Sequence, residues 1–173
     1  TDTSIEKDNL KICLVLDEGG VNDQSFNQSA WEGALASKEK YGVEVSYIES
    51  KSESEYFQNI ETAIDQDNDL IVGVGFKLTD TIEEASESYP NQKFAIIDGS
   101  YENTPSNVHS ILFDEAGAGY SVGLIASQMT KGTVGFIGGM DIPSVSNFLV
   151  GFEKAIKEEN KDIEVLSQYA NSF

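Results

Sequence analysis

The sequence predicts an α/β protein with doubly wound parallel sheets, and two observations carry that prediction. Short apolar runs alternate along the chain with longer segments of helical periodicity, which is the signature of repeated βαβ units. Four of the runs, at residues 14–17, 72–76, 95–99 and 135–141, end in Gly, Asp or an aromatic. In an open parallel sheet, ligands meet the protein where strands end on their carboxyl side, so this pattern describes a binding crevice.

The elements follow in order. Residues 11–16 form the first strand, and a helix starts near Ser25, with Phe26, Ala30, Ala34, Leu35, Lys38 and Tyr41 at helical spacing until Gly42 stops it. The second strand covers residues 43–48. Ser52 with Glu55 offers a capping box ahead of a helix whose apolar face is Tyr56, Phe57, Ile60, Ala63 and Ile64. The third strand is 70–74; Asp80 with Glu83 supplies the next cap, and Pro90 prevents that helix from extending past Tyr89. Residues 93–97 form the fourth strand and, after an aperiodic connection at 99–107, residues 108–113 form the fifth.

Beyond Asp114 the character changes. Residues 116–126 are rich in Gly, Ala and Ser, so their helix can approach another element closely. A strand follows at 133–137, then a helix at about 144–159 with Phe148, Phe152, Ala155 and Ile156 inward, and a strand at 163–168. Three segments are expected: a polar lead-in at 1–9, an N-terminal α/β lobe at 10–113 and the start of a C-terminal lobe at 114–173. A two-stranded second lobe would leave a long unpaired edge, which folded proteins avoid, so it is expected to be incomplete here and the chain to be a fragment of a longer two-lobed protein.

Composition narrows the partners. Thirty acidic residues against 11 lysines, with no arginine, give a formal charge of −19. Such a field repels nucleic acid and anionic surfaces, and the lack of guanidinium groups removes the usual bidentate grip on phosphate. A neutral or cationic ligand is favoured; an acidic, soluble surface with a bias of Lys over Arg accounts for the same facts. The one cysteine, Cys13, reads as a small buried hydrophobe within a strand, and no disulfide framework is possible. No apolar run approaches the length of a membrane span.

Enzyme motifs are not found. There is no nucleophile elbow, phosphate loop or zinc-binding histidine pair, and the one histidine, His109, sits within a strand pattern. Gly73-Val74-Gly75 begins a dinucleotide fingerprint, but Leu78 occupies the third glycine's place. The acidic run at 65–69 opens like a calcium loop, yet Leu70 and Phe76 stand where Gly and Glu are required. Asp17 and Glu18 gather acids as metal-binding receiver domains do, but the third strand ends in Gly75-Phe76, with no carboxylate. No metal and no cofactor are expected.

Recognition chemistry remains. Phe26, flanked by Ser25 and Asn27, follows a glycine-containing turn at a helix start, where free backbone N–H groups are expected to point into the crevice. It either stacks on a flat ligand or begins the helix's inner face. Asp98 either accepts hydrogen bonds from a ligand or caps the turn it forms with Gly99.

Four stretches together carry a family resemblance: residues 20–33, with the pattern Asp23-x-Ser25-Phe26-Asn27-x-x-x-Trp31-x-Gly33; Gly73-Val74-Gly75-Phe76; Phe94-Ala95-Ile96-Ile97-Asp98-Gly99; and Gly135-Phe136-Ile137-Gly138-Gly139-Met140-Asp141-Ile142-Pro143. They resemble the basic membrane protein family of substrate-binding lipoproteins of ABC transporters, several of which bind purine nucleosides. The resemblance spans residues 10–173. It implies a type I periplasmic-binding-protein-like fold of two lobes closing over the ligand, with the purine held between an aromatic from each; closure is expected about a hinge near 113–115. Phe26 matches the first aromatic and Phe173 the second. Asp98 and Asn27 match positions that read the base, Gly75, Phe76 and Met140 match the cleft lining, and Asp17 is similarly placed; Ser25 beside Phe26 and Asp141 beside Met140 complete the expected ligand-binding set. The resemblance further implies a permease partner, an extracytoplasmic location held by a lipid anchor absent from this chain, and a monomer at full length. The competing expectations are a doubly wound hydrolase using Asp17, Asp23 or Asp98, and a DNA-regulatory sensor, against which the missing basic head argues.

Overall fold

The computed structural model describes residues 10–171. By internal contacts the chain divides into two compact units that meet between Leu112 and Phe113, and each is described by itself.

The first unit is a five-stranded parallel sheet in the order β2-β1-β3-β4-β5, built from β1 (Lys11–Leu16), β2 (Glu44–Glu49), β3 (Leu70–Val74), β4 (Lys93–Ile97) and β5 (Val108–Ile111). Three helices connect them: α1 (Phe26–Tyr41), α2 (Tyr56–Asp65) and α3 (Thr79–Ser88). Side chains alternate across a strand, so each central strand supplies two cores. Cys13 and Val15 of β1, Ile71 of β3 and Phe94 and Ile96 of β4 face α2 and α3, where Tyr56, Ile60, Ala63, Ile82 and Ala85 bury against them. Leu14, Leu16, Val72, Val74 and Ala95 face the other way, onto Ala30, Trp31 and Ala34 of α1. Because β1 continues to β2 on one side while the later strands add on the other, the order reverses between β1 and β3. That is the topological switch point, where neighbouring loops diverge to opposite faces and leave a crevice.

The second unit pairs β6 (Thr133–Gly138) with β7 (Glu164–Tyr169) in parallel, alongside α4 (Glu115–Met129) and α5 (Pro143–Glu159). Phe152 and Ile156 of α5 pack with Ile163, Val134, Phe136 and Val165 on one face of the strand pair. The two helices lie in backbone contact. A side chain on Gly119 would run into the Phe148 carbonyl, one on Gly151 into the Ala116 carbonyl, and one on Gly123 would stand 2.8 Å from the Ala155 Cβ. The small-residue run is therefore a helix–helix seam.

Several local expectations are corrected. The Ser52–Glu55 capping box is absent: Ser52 Oγ pairs with Ser54 Oγ at 2.8 Å, Glu55 accepts from the Lys51 N–H, and a short 3-10 turn at Glu53–Glu55 precedes α2. Asp80 is not a cap, because a 3-10 turn at Phe76–Leu78 runs straight into α3 and places Asp80 inside its first turn. The fifth strand stops at Ile111, two residues short of the expected end. Leu35, Tyr41 and Phe148, expected on inner faces, are exposed.

Candidate functional site

All five strands of the first sheet run the same way, so their carboxyl ends form one edge. Next to each other along it stand Asp17 after β1, Gly75-Phe76 after β3 and Asp98 after β4. With strands about 4.8 Å apart, Asp17 and Asp98 stand at the ends of strands separated by roughly 10 Å of edge.

Gly75 occupies the centre at φ +99°, ψ 150°, a conformation that L residues avoid. Its N–H donates to the Ile97 carbonyl at 3.1 Å, which fixes the turn against β4. A Cβ there would lie 4.0 Å from both Asp17 Oδ2 and the Phe26 ring. Asp17, Phe26 and Gly75 thus converge on one spot at the switch point. That space leaves room for a methyl group, so replacing Gly75 with alanine is expected to cost about 1–3 kcal/mol through backbone strain alone. Denaturant unfolding of the variant measures it.

Asn27 is 2% exposed. Its side-chain amide donates to Asp17 Oδ1 at 2.7 Å, while the Gly19 N–H donates to the same oxygen at 3.0 Å. The Asn27 Oδ1 is buried with no hydrogen-bond partner among the described residues. Asn27, which matches a base-reading position in the resemblance, is buried here with its amide holding Asp17. Phe26 is 39% exposed, so it does not sink into the inner face of α1.

The N–H groups at the start of α1 are not open to the crevice. Asp23 takes three of them, accepting from Ser25 at 2.8 Å, Asn27 at 2.9 Å and Gln28 at 3.1 Å. Desolvation would push its carboxyl up, but these backbone donors outweigh it and hold it below its usual 3.8. A carboxylate lowered on folding adds stability above its unfolded value and loses it as pH falls through the folded one. Asp23→Ala is accordingly expected to cost about 1 kcal/mol at neutral pH. The difference from wild type should shrink in acid below the usual aspartate range, as followed by pH-dependent unfolding.

The remaining candidates are more scattered. Ser25 is exposed, and its carbonyl accepts from the Ser29 N–H at 3.0 Å. Asp98 is half-buried in the left-handed region at φ +66°, with its N–H donating to the Ile111 carbonyl at 2.9 Å. In the second unit, Met140 is half-buried and Asp141 exposed after β6. Tyr169 at the end of β7 lies over Gly138, where a Cβ would stand 2.7 Å from its ring, and its hydroxyl is drawn up by desolvation and by the Asp141 carboxylate. Phe173 and residues 1–9 lie outside the described residues.

Sequence reasoning missed Tyr169 and the partners of Glu18 and Glu49. Glu49 Oε1 accepts from the Val21 N–H at 2.7 Å and anchors the first crevice loop to β2. Such pairings join residues far apart in sequence, and no local spacing announces them. Among the described residues there is no cluster of His, Cys, Asp or Glu that could hold a metal ion, and no helix long and apolar enough to cross a membrane. A shallow depression lined by Lys11, Glu44 and Asn68 lies at the opposite, amino-terminal edge of the sheet and is not part of this constellation.

Residues 11–173 match the family described as ABC transporter substrate-binding protein, PnrA-like. The chain belongs to this family. It is 41% identical over 168 residues to a CD4+ T-cell-stimulating antigen of Listeria monocytogenes, covering 94% of this chain and 47% of that protein. It is 39% identical over 172 residues to the ABC transporter nucleoside-binding protein BmpA of Lactococcus lactis, covering 96% and 49%. A solved ABC transporter solute-binding protein from Aeropyrum pernix superposes with a TM-score of 0.80 at 30% identity, covering 92% of this chain and 47% of that one. The chain thus spans about half the length of the relatives it matches. The α/β fold with parallel sheets is that of the solute-binding proteins, and nothing in these likenesses favours the hydrolase expectation.

Proposed function

We infer that this PnrA-like chain contributes the base-binding edge of an ABC transporter component that captures a purine nucleoside and hands it to a membrane permease. The observation that carries the reading is the convergence of Asp17, Phe26 and Gly75 at the switch point, with Asp98 one strand further along. Phe26 places a partly exposed aromatic ring there, the side chain suited to stacking on a flat base. Gly75 is buried, and its lack of a side chain lets Asp17 and Phe26 converge beside it. Asp17 and Asp98 are acceptors, which match the N–H, amino and hydroxyl donors of a nucleoside. The relative named as nucleoside-binding supports the same ligand class.

The electrostatics favour the neutral nucleoside over its phosphate ester. With a formal charge of −19 and no arginine, the chain offers a phosphate repulsion and no bidentate partner. Binding is proposed to proceed without turnover, at the extracytoplasmic face, by a lipid-anchored monomer. Parallel titrations of inosine and inosine monophosphate, on protein of the length of its relatives, are expected to favour the nucleoside by at least about tenfold. Equal affinity would remove the electrostatic part of the assignment.

A further inference from the structure

Glu18 has no role in the constellation described above, yet it touches three elements of the switch point. It follows Asp17 at the end of β1. Its Oε2 accepts from the Tyr56 hydroxyl at 3.0 Å and from Lys77 Nζ at 3.3 Å. Tyr56 opens α2 and is 1% exposed, so its hydroxyl is a fixed point set by the core. Lys77 sits in the 3-10 turn at Phe76–Leu78, directly after Gly75 and Phe76. One carboxylate oxygen therefore ties the loop after β3 to the loop after β1, just beyond the carboxyl ends of the paired strands β1 and β3.

Desolvation acts to raise the Glu18 carboxyl, but its own backbone amide, the Tyr56 hydroxyl and Lys77 together hold it below the usual range, so it carries full charge at neutral pH. A half-exposed ion pair of this kind adds little to stability. What it can do is restrict position. The turn it holds carries Gly75 and Phe76, and Gly75 faces Phe26 and Asp17.

We propose that Glu18 is a positioning residue for nucleoside binding: by clasping Lys77 to the Tyr56 hydroxyl it fixes the Gly75-Phe76 turn against Phe26. This rests on the nucleoside reading of the site, and the test separates the two. Glu18→Gln keeps the size of the side chain and an acceptor for Tyr56 but removes the charge that holds Lys77.

Two measurements on protein of the length of its relatives decide the matter. In amide hydrogen exchange without ligand, the Gly75 and Leu78 N–H groups, which donate to the Ile97 and Gly75 carbonyls, are expected to exchange about threefold faster in the variant, with the β1 and β4 amides unchanged. In calorimetric titration, Glu18→Gln is expected to weaken inosine binding about three- to tenfold, and that loss is expected to vanish in a Phe76→Ala background, as for residues acting through one another. Unchanged exchange overturns the clasp. Faster exchange with unchanged affinity, or a loss that persists in the Phe76→Ala background, overturns the positioning role. Faster exchange in a protein that binds no nucleoside leaves the clasp standing and overturns the nucleoside reading instead.

Discussion

Replacing Gly151 with alanine should destabilise the second unit by about 3 kcal/mol, the upper end of overpacking costs. The reason is what the added methyl would meet. Around Gly151 it is the Ala116 carbonyl and the Tyr120 backbone N–H, the latter 2.8 Å away. A side chain can change rotamer to make room, whereas a helix backbone can only move as a unit. Gly119 on the facing helix is closed off in the same way by Phe148, so α4 and α5 would have to separate along the seam. Glycine is a poor helix former, about 1 kcal/mol worse than alanine in an exposed helix, so propensity alone predicts that the substitution stabilises. The sign of the effect is therefore diagnostic. Trp31, the one tryptophan, lies in the first unit, so its fluorescence serves as an internal control while circular dichroism follows loss of the α4–α5 pair.

Phe26→Ala should weaken purine nucleoside binding by about 1–3 kcal/mol, the usual worth of one aromatic–base stack. The same substitution should cost little stability, because the ring is 39% exposed. A residue that began the inner face of α1 would show the reverse pattern, with a large loss of stability and unchanged affinity. Calorimetry for affinity and denaturant unfolding for stability, on the same variant, distinguish the two. The reversal in strand order between β1 and β3 sets this expectation, since it brings the Phe26 ring to the face of Gly75 on the neighbouring strand's loop.

The strands and helices were legible because their patterns are local and strong. Leu14, Leu16, Val72 and Val74 alternate with Cys13, Val15 and Ile71, and once the sheet forms each set has a helix to cover it. The glycines of α4 announced close packing, and Gly119, Gly123 and Gly151 deliver it. Helix starts were less legible. Ser52 and Asp80 have the residue types and spacing of caps, but the chain enters α2 and α3 through 3-10 turns that displace them. At α1 Ser25 holds the N-cap position without a side-chain bond, and Asp23 two residues upstream folds its carboxylate back over the first N–H groups.

Within the candidate site the residue types were readable and their division of labour was not. Asn27 and Asp17 both look like ligand contacts in a list of polar residues. In the fold Asn27 is buried and spends its amide on Asp17, so the carboxylate is what faces Gly75. Glu18 resembled part of an acidic metal cluster; its partners Tyr56 and Lys77 lie 38 and 59 residues away in sequence and are joined to it only by the sheet order.

The most direct test of the central claim is calorimetric titration of protein of the length of its relatives with inosine, guanosine and adenosine, with the mixtures analysed afterwards for products. Saturable one-site binding of at least one purine nucleoside, with the nucleoside recovered intact, is the predicted result. Binding confined to sugars or amino acids, or release of free base and ribose, would contradict it.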